Sequence, residues 1–159
     1  MTLNPKIALR LQFLARVVRK ECQHLVSTDQ RLFDQPFTEA RASQLETDPD
    51  LAERVDAFVG RFGRLQDTVG DKLLPMLLMA LGEVPAAAID NLDRAERLGF
   101  LDSADEWVAM RQLRNQMVHE YVEDLTVLAS ALQTGHAFVS ALVAVANKLM
   151  AEIDRRGWA

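Results

Sequence analysis

Seven apolar residues, Leu51, Val55, Phe58, Phe62, Leu65, Val69 and Leu73, recur at steps of three and four. That spacing holds them on one stripe of a helix, and no strand register can do the same. A stripe about six turns long cannot remain in water, so the chain must provide other amphipathic helices to cover it. Two further segments do so. Ile7, Leu11, Leu14, Val18 and Leu25 repeat the pattern within about Pro5–Leu32. Leu128, Leu132, Val139, Leu142, Ala146, Leu149 and Ile153 repeat it within about Leu125–Arg155. No alternating strand pattern and no internal repeat interrupts the series.

Local signals set the boundaries. Pro5 suits the first turn of the first helix. Residues Phe33–Pro49 read as a connector with one short helix at Glu39–Leu45, and Asp48 and Pro49 cap and open the second long helix. That helix runs to about Leu81, with Pro75 expected to kink or split it and Gly82 to end it. A third helix is expected over Pro85–Leu98, stopped by Gly99. Ser103-Ala104-Asp105-Glu106 has the form of a capping box, with Glu106 reaching back, and opens a fourth helix. Asp124 caps the fifth. The expectation is an all-α, up-and-down helical bundle of about five helices, in a single domain covering 1–159.

Composition narrows the function classes. Apolar residues make up 49% of the 159, enough for one sizeable core. The net charge is −5, so RNA could be gripped only by a local patch, not by the whole surface. Cys22 is the single cysteine, which excludes an intrachain disulfide and zinc sites built on paired thiolates. The opening Met-Thr-Leu-Asn-Pro-Lys lacks the apolar core of a signal peptide. The longest apolar run, around Leu73–Leu81, is broken by Pro75 and short of membrane length. A soluble cytoplasmic protein is expected.

The fourth helix carries the octad Arg114-Asn115-Gln116-Met117-Val118-His119-Glu120-Tyr121. An Arg and a His in one cleft can cleave a phosphodiester without a metal: the imidazole moves protons and the guanidinium holds the charge that builds on phosphorus. At about 100° per residue, Trp107, Met110, Leu113, Met117 and Val118 point broadly inward. Asn115 and His119 share a face, with Arg111 extending that row, and Arg114 and Tyr121 share another. Arg114 and His119 diverge by about 140°, so a straight helix does not join them by itself. Either the Arg side chain swings round or a second copy completes the site across a two-fold axis.

The pattern Arg-Asn, three residues, His, one residue, Tyr resembles the signature of HEPN-domain toxins, specifically the HepT branch. HEPN domains are helical bundles with the motif on the next-to-last helix. The resemblance implies a toxin of a toxin–antitoxin pair and a metal-independent endoribonuclease, acting as a homodimer or higher even oligomer with both motifs lining one cleft. His119 and Arg114 are then catalytic, and Asn115 fixes the imidazole or touches the phosphate. Attack by a ribose 2′-hydroxyl would leave a 2′,3′-cyclic phosphate and a 5′-hydroxyl. No cofactor is expected. HepT toxins pair with an MntA-like nucleotidyltransferase antitoxin that adds AMP to the motif's Tyr, which here is Tyr121; the added phosphate and base would repel and block RNA. A different reading comes from close relatives described as nucleotidyltransferase substrate-binding proteins, which dock a partner enzyme without chemistry. A plain helical scaffold is the third.

Other residues read as structural. His24, in Glu21-Cys22-Gln23-His24, matches one element of a di-iron bundle, but the only comparable place, Gln116-Met117-Val118-His119, lacks the Glu. It is expected at the surface, as is His136. Arg54, Arg61 and Arg64 share one helix face, expected to be a solvated stripe, with a local basic patch for RNA as the alternative. Met76, Leu78 and Met79 read as core packing, with an oligomer surface as the alternative.

Overall fold

The structure, a computed structural model, describes residues 3–119 and 123–158, with His119 described by its backbone alone. It is an all-α helical bundle. Helix α1 spans Pro5–Leu32 and a short α2 spans Glu39–Ser43. Then α3 (Pro49–Asp67), a π-helical turn (Thr68–Leu73) and α4 (Leu74–Ala80) follow one another without a gap. The rest are α5 (Ala88–Arg97), α6 (Ala104–His119) and α7 (Leu125–Arg155). The caps expected at Asp48 and Asp124 are in place, and Asn4 adds one at the start of α1. Asn4 Oδ1 accepts from the Lys6 N–H, Asp48 Oδ1 from Leu51, and Asp124 Oδ1 from Thr126 and Val127.

Helix α3 lies along α1, and α6 packs against both α3 and α7. All seven residues of the Leu51–Leu73 stripe are at most 4% exposed. The seven core positions expected on α7 are buried as well, whereas Ile7 on α1 is only partly covered.

Pro75 does not split the long helix. The π-helical turn lies just ahead of it, and the Leu74 N–H donates to the Val69 carbonyl, five residues back. The wider turn shifts the hydrogen-bond ladder before the residue that lacks a donor, and so absorbs the proline. The third helix begins at Ala88, not Pro85. The buried Asn91 side chain accepts from the Ala86 N–H at 2.8 Å and donates to the Ala86 carbonyl at 3.1 Å, which engages those groups outside the helix. Half of the capping box at Ser103 forms, with the Glu106 N–H donating to Ser103 Oγ at 3.1 Å. The other half, Glu106 reaching back to the Ser103 N–H, does not form; the next donor along, the Ala104 N–H, goes to Glu96 of α5 at 2.9 Å.

Helix α7 corrects the expectation about apolar length. It has 31 residues and contains an 18-residue window of mean hydropathy 1.5, long and apolar enough to cross a membrane by length and composition. No Asp, Glu, Lys or Arg falls between Leu125 and Asn147, but Ser130, Gln133, Thr134, His136 and Ser140 break up the apolar run and hide this trait from a simple scan. Leu128, Leu132, Leu142, Ala146 and Ile153 of this helix are fully buried, so its apolar face forms part of the bundle core.

Candidate functional site

Three glycines seat α6. A Cβ placed on Gly70 would lie 2.9 Å from the indole of Trp107, and one on Gly63 would lie 2.6 Å from Arg114 Nε. On the other side, a Cβ on Gly135 of α7 would meet Met117 Sδ at 3.2 Å and the Phe58 ring at 3.3 Å. Gly63 and Gly70 are seven apart, as are Trp107 and Arg114, and the pairs meet in opposite chain order. Two turns of one helix thus receive two turns of an antiparallel neighbour, and missing side chains set the approach.

Trp107, Met110, Leu113 and Met117 are buried as the periodicity requires. Val118 is not: it is 52% exposed. It lies one turn beyond Arg114 and a full heptad beyond Arg111, on the row those arginines carry to the surface.

Arg114 lies across Gly63, and its Nη1 donates to Asp67 Oδ1. The Arg114 side chain is 31% exposed and that of Asp67 is 40% exposed. One turn earlier on α6, Arg111 Nη2 bridges both oxygens of Asp71 at 2.9 Å and stands 3.8 Å from Asp67. Two guanidiniums on α6 therefore face two carboxylates, one at the end of α3 and one inside the π-helical turn. Turns of this kind recur at functional sites, where they re-aim a short run of side chains. Arg114 Nε is held over the helix and Nη1 is engaged. Nη2 makes no hydrogen bond to a described residue.

Asn115 is exposed on α6. His119 is the last residue of α6, and the backbone stays helical through it, so the divergence of about 140° from Arg114 persists. Arg114 swings toward α3 and Asp67. The His119 side chain and Tyr121 lie outside the described residues.

The remaining candidates fall elsewhere. His136 is not a plain surface residue. Its Nδ1 lies 2.7 Å from Asp29 Oδ1 on α1, and its ring stacks on Phe33 at 4.4 Å. Its partner comes from 107 positions away, out of reach of local spacing. Arg61 leaves the expected solvated stripe: Nη1 donates to the His24 carbonyl at 3.1 Å and to Thr28 Oγ1. Glu21 lies 3.1 Å from the Thr68 hydroxyl, while His24 is exposed. Burial raises the Glu21 carboxyl above its usual range, outweighing the Thr68 hydrogen bond and the nearby Arg64 and Lys72. Burial, with Glu21 beside it, pushes the Cys22 thiol up to about 11. Among the described residues, no three His, Cys, Asp or Glu side chains gather as a metal-ligand set.

Gly63, Asp67, Gly70 and Asp71 belong to the site, and sequence reasoning passed over them. The available signal was two glycines one heptad apart inside a strongly periodic helix, each followed closely by an aspartate. The site must be read from its own residues, because no family model, curated protein or solved structure matches this chain.

Proposed function

We propose that this chain is a HEPN-family protein of the HepT type: the toxin of a toxin–antitoxin pair, acting in the cytoplasm as a metal-independent endoribonuclease. The observation that carries the reading is the placement of Arg114. It opens the octad on the next-to-last long helix of an all-α bundle, seated over a glycine and partly open to solvent. Its planar fork suits a phosphate better than an ammonium would. His119, five residues on, supplies the proton transfers. The angle between the two along α6 favours a homodimer in which Arg114 of one copy works with His119 of the other.

The test is cleavage of RNA by the purified protein in EDTA. The expected result is cutting that leaves 2′,3′-cyclic phosphate ends and disappears in Arg114→Ala and in His119→Ala. Mixing the two variants should restore part of the activity if the cleft is shared between copies. Full activity in His119→Ala would end the proposal. In cells the chain should arrest growth when expressed alone. Co-expression with an MntA-like nucleotidyltransferase should relieve the arrest and add AMP-sized mass to Tyr121.

One observation favours the second reading, a non-catalytic module that docks a nucleotidyltransferase. Asp67 and Asp71 neutralise Arg114 and Arg111 where RNA would need positive charge. Such a module would be harmless alone and would co-purify with its transferase.

A further inference from the structure

A cavity of about 430 Å³ lies between the C-terminal half of α1 and the N-terminal half of α3. Thr28, Arg31, Asp50, Glu53, Arg54 and Arg61 line it. Three arginines from two helices thus line one recess of a chain with net charge −5. Arg41, Arg94, Arg111, Arg114, Arg155 and Arg156 all have carboxylate partners elsewhere. Arg31, Arg54 and Arg61, like the remaining arginines, have no described carboxylate within 4 Å of a guanidinium nitrogen, but these three share one recess. With Asp50 and Glu53 in the same lining, three cationic side chains stand against two anionic ones, and the excess positive charge would be offset by an external anion. Arg61 is already oriented, since the His24 carbonyl and the Thr28 hydroxyl hold Nη1. Its remaining donors need no reordering before they meet a ligand.

The two carboxylates narrow the ligand further. Asp50 lies in the first turn of α3, where the helix dipole offsets its charge, and Glu53 stands one turn later. They would repel a bare anion, but they can accept hydrogen bonds from hydroxyl groups. The volume falls within the range of about 300–1,000 Å³ usual for small-ligand sites. We propose that this cavity binds a small hydroxylated phosphate monoester, with its phosphoryl group on Arg31, Arg54 and Arg61 and its hydroxyls on Asp50 and Glu53. Along α3, Arg61 and Asp67 project about 120° apart, so the recess is separate from the Arg114 surface. It does not depend on the nuclease reading.

Isothermal titration of the full chain with ribose 5-phosphate, inorganic phosphate and ribose tests the proposal. Ribose 5-phosphate should bind, inorganic phosphate should bind about tenfold or more weakly, and ribose should give no signal. Arg54→Ala should weaken ribose 5-phosphate by about tenfold or more, the usual loss for one charged hydrogen-bond donor. Arg54→Lys keeps the charge and the stem but not the fork, and should weaken binding several-fold in a chain that folds as the parent does. Glu53→Gln should tighten inorganic phosphate and narrow its gap to ribose 5-phosphate. No binding of either phosphate at millimolar concentration, or equal binding by the parent and both Arg54 variants, would overturn the site. Equal affinity for the two phosphates, or a gap unchanged by Glu53→Gln, would overturn the role given to the hydroxyls.

Discussion

Gly63→Ala should separate the stability of this protein from the placement of its key arginine. The added methyl would lie 2.6 Å from Arg114 Nε, 3.0 Å from Cζ and 3.1 Å from Cδ, so something must move. The obstacle is the outer part of a long side chain that is 31% exposed, and it can swing away. Its departure forfeits the Asp67 pair, worth about 0.2–1 kcal/mol at such exposure. Replacing glycine by alanine inside a helix returns about 1 kcal/mol. The two nearly cancel, so chemical denaturation should find stability within about 1 kcal/mol of the parent. Gly70→Ala is the control. There the methyl meets the indole of Trp107, which is 2% exposed and walled in by the core. Overpacking of that kind costs about 1–3 kcal/mol, so Gly70→Ala should be the less stable of the two. If Arg114 serves RNA cleavage, Gly63→Ala should lose activity while remaining folded. A loss of more than about 2 kcal/mol in Gly63→Ala, or a ranking with Gly70→Ala the more stable, would refute the argument that a mobile neighbour yields and a packed one does not.

Asp67→Asn removes the carboxylate that Arg114 contacts; it should cost about 0.2–1 kcal/mol and increase RNA cleavage at low salt, and unchanged or lower cleavage would remove the idea that Asp67 restrains the arginine. Glu21→Gln addresses the raised carboxyl. A raised carboxyl favours the folded state in its protonated form, so that contribution is present below about pH 4.3 and is lost as pH climbs through the elevated value. The variant should therefore melt higher than the parent at pH 7 and alike in acid; a lower melting temperature at pH 7 would contradict the burial argument. Cys22, with its thiol near 11 and 8% exposed, should react with a thiol reagent at pH 8 only as fast as the chain opens. Labelling as rapid as in denaturant would show otherwise.

Helical periodicity gave access to most of the fold. Every residue of the Leu51–Leu73 stripe is buried, because a long amphipathic helix has only one face to hide. Boundaries failed where a distant side chain overruled a local signal. Asn91 keeps Ala86 outside α5, and Glu96, not a residue of the capping box, takes the Ala104 N–H at the start of α6. The site was legible on one side only. Arg114 stood out within its octad, but Asp67 precedes it by 47 positions, and nothing in local spacing ties them. His136 lies at the surface as expected, but its carboxylate partner on α1 was illegible for the same reason. The octad's angles predicted that Arg114 and His119 diverge along α6, and the helical backbone through His119 retains that divergence.

The turn at Thr68–Leu73 carries one residue more than an ordinary helix would need there, and this makes the chain sensitive to its count as well as its chemistry. Excising a single residue from that stretch would let the rod close into plain α-helix with the segments on either side still in register. Leu77 and Leu78 would keep their enclosed places, but the proline would again confront an ordinary turn, and Asp71 would lose the setting from which it meets Arg111. The spare residue thus serves the proline and the arginine–aspartate contact rather than the register of the core.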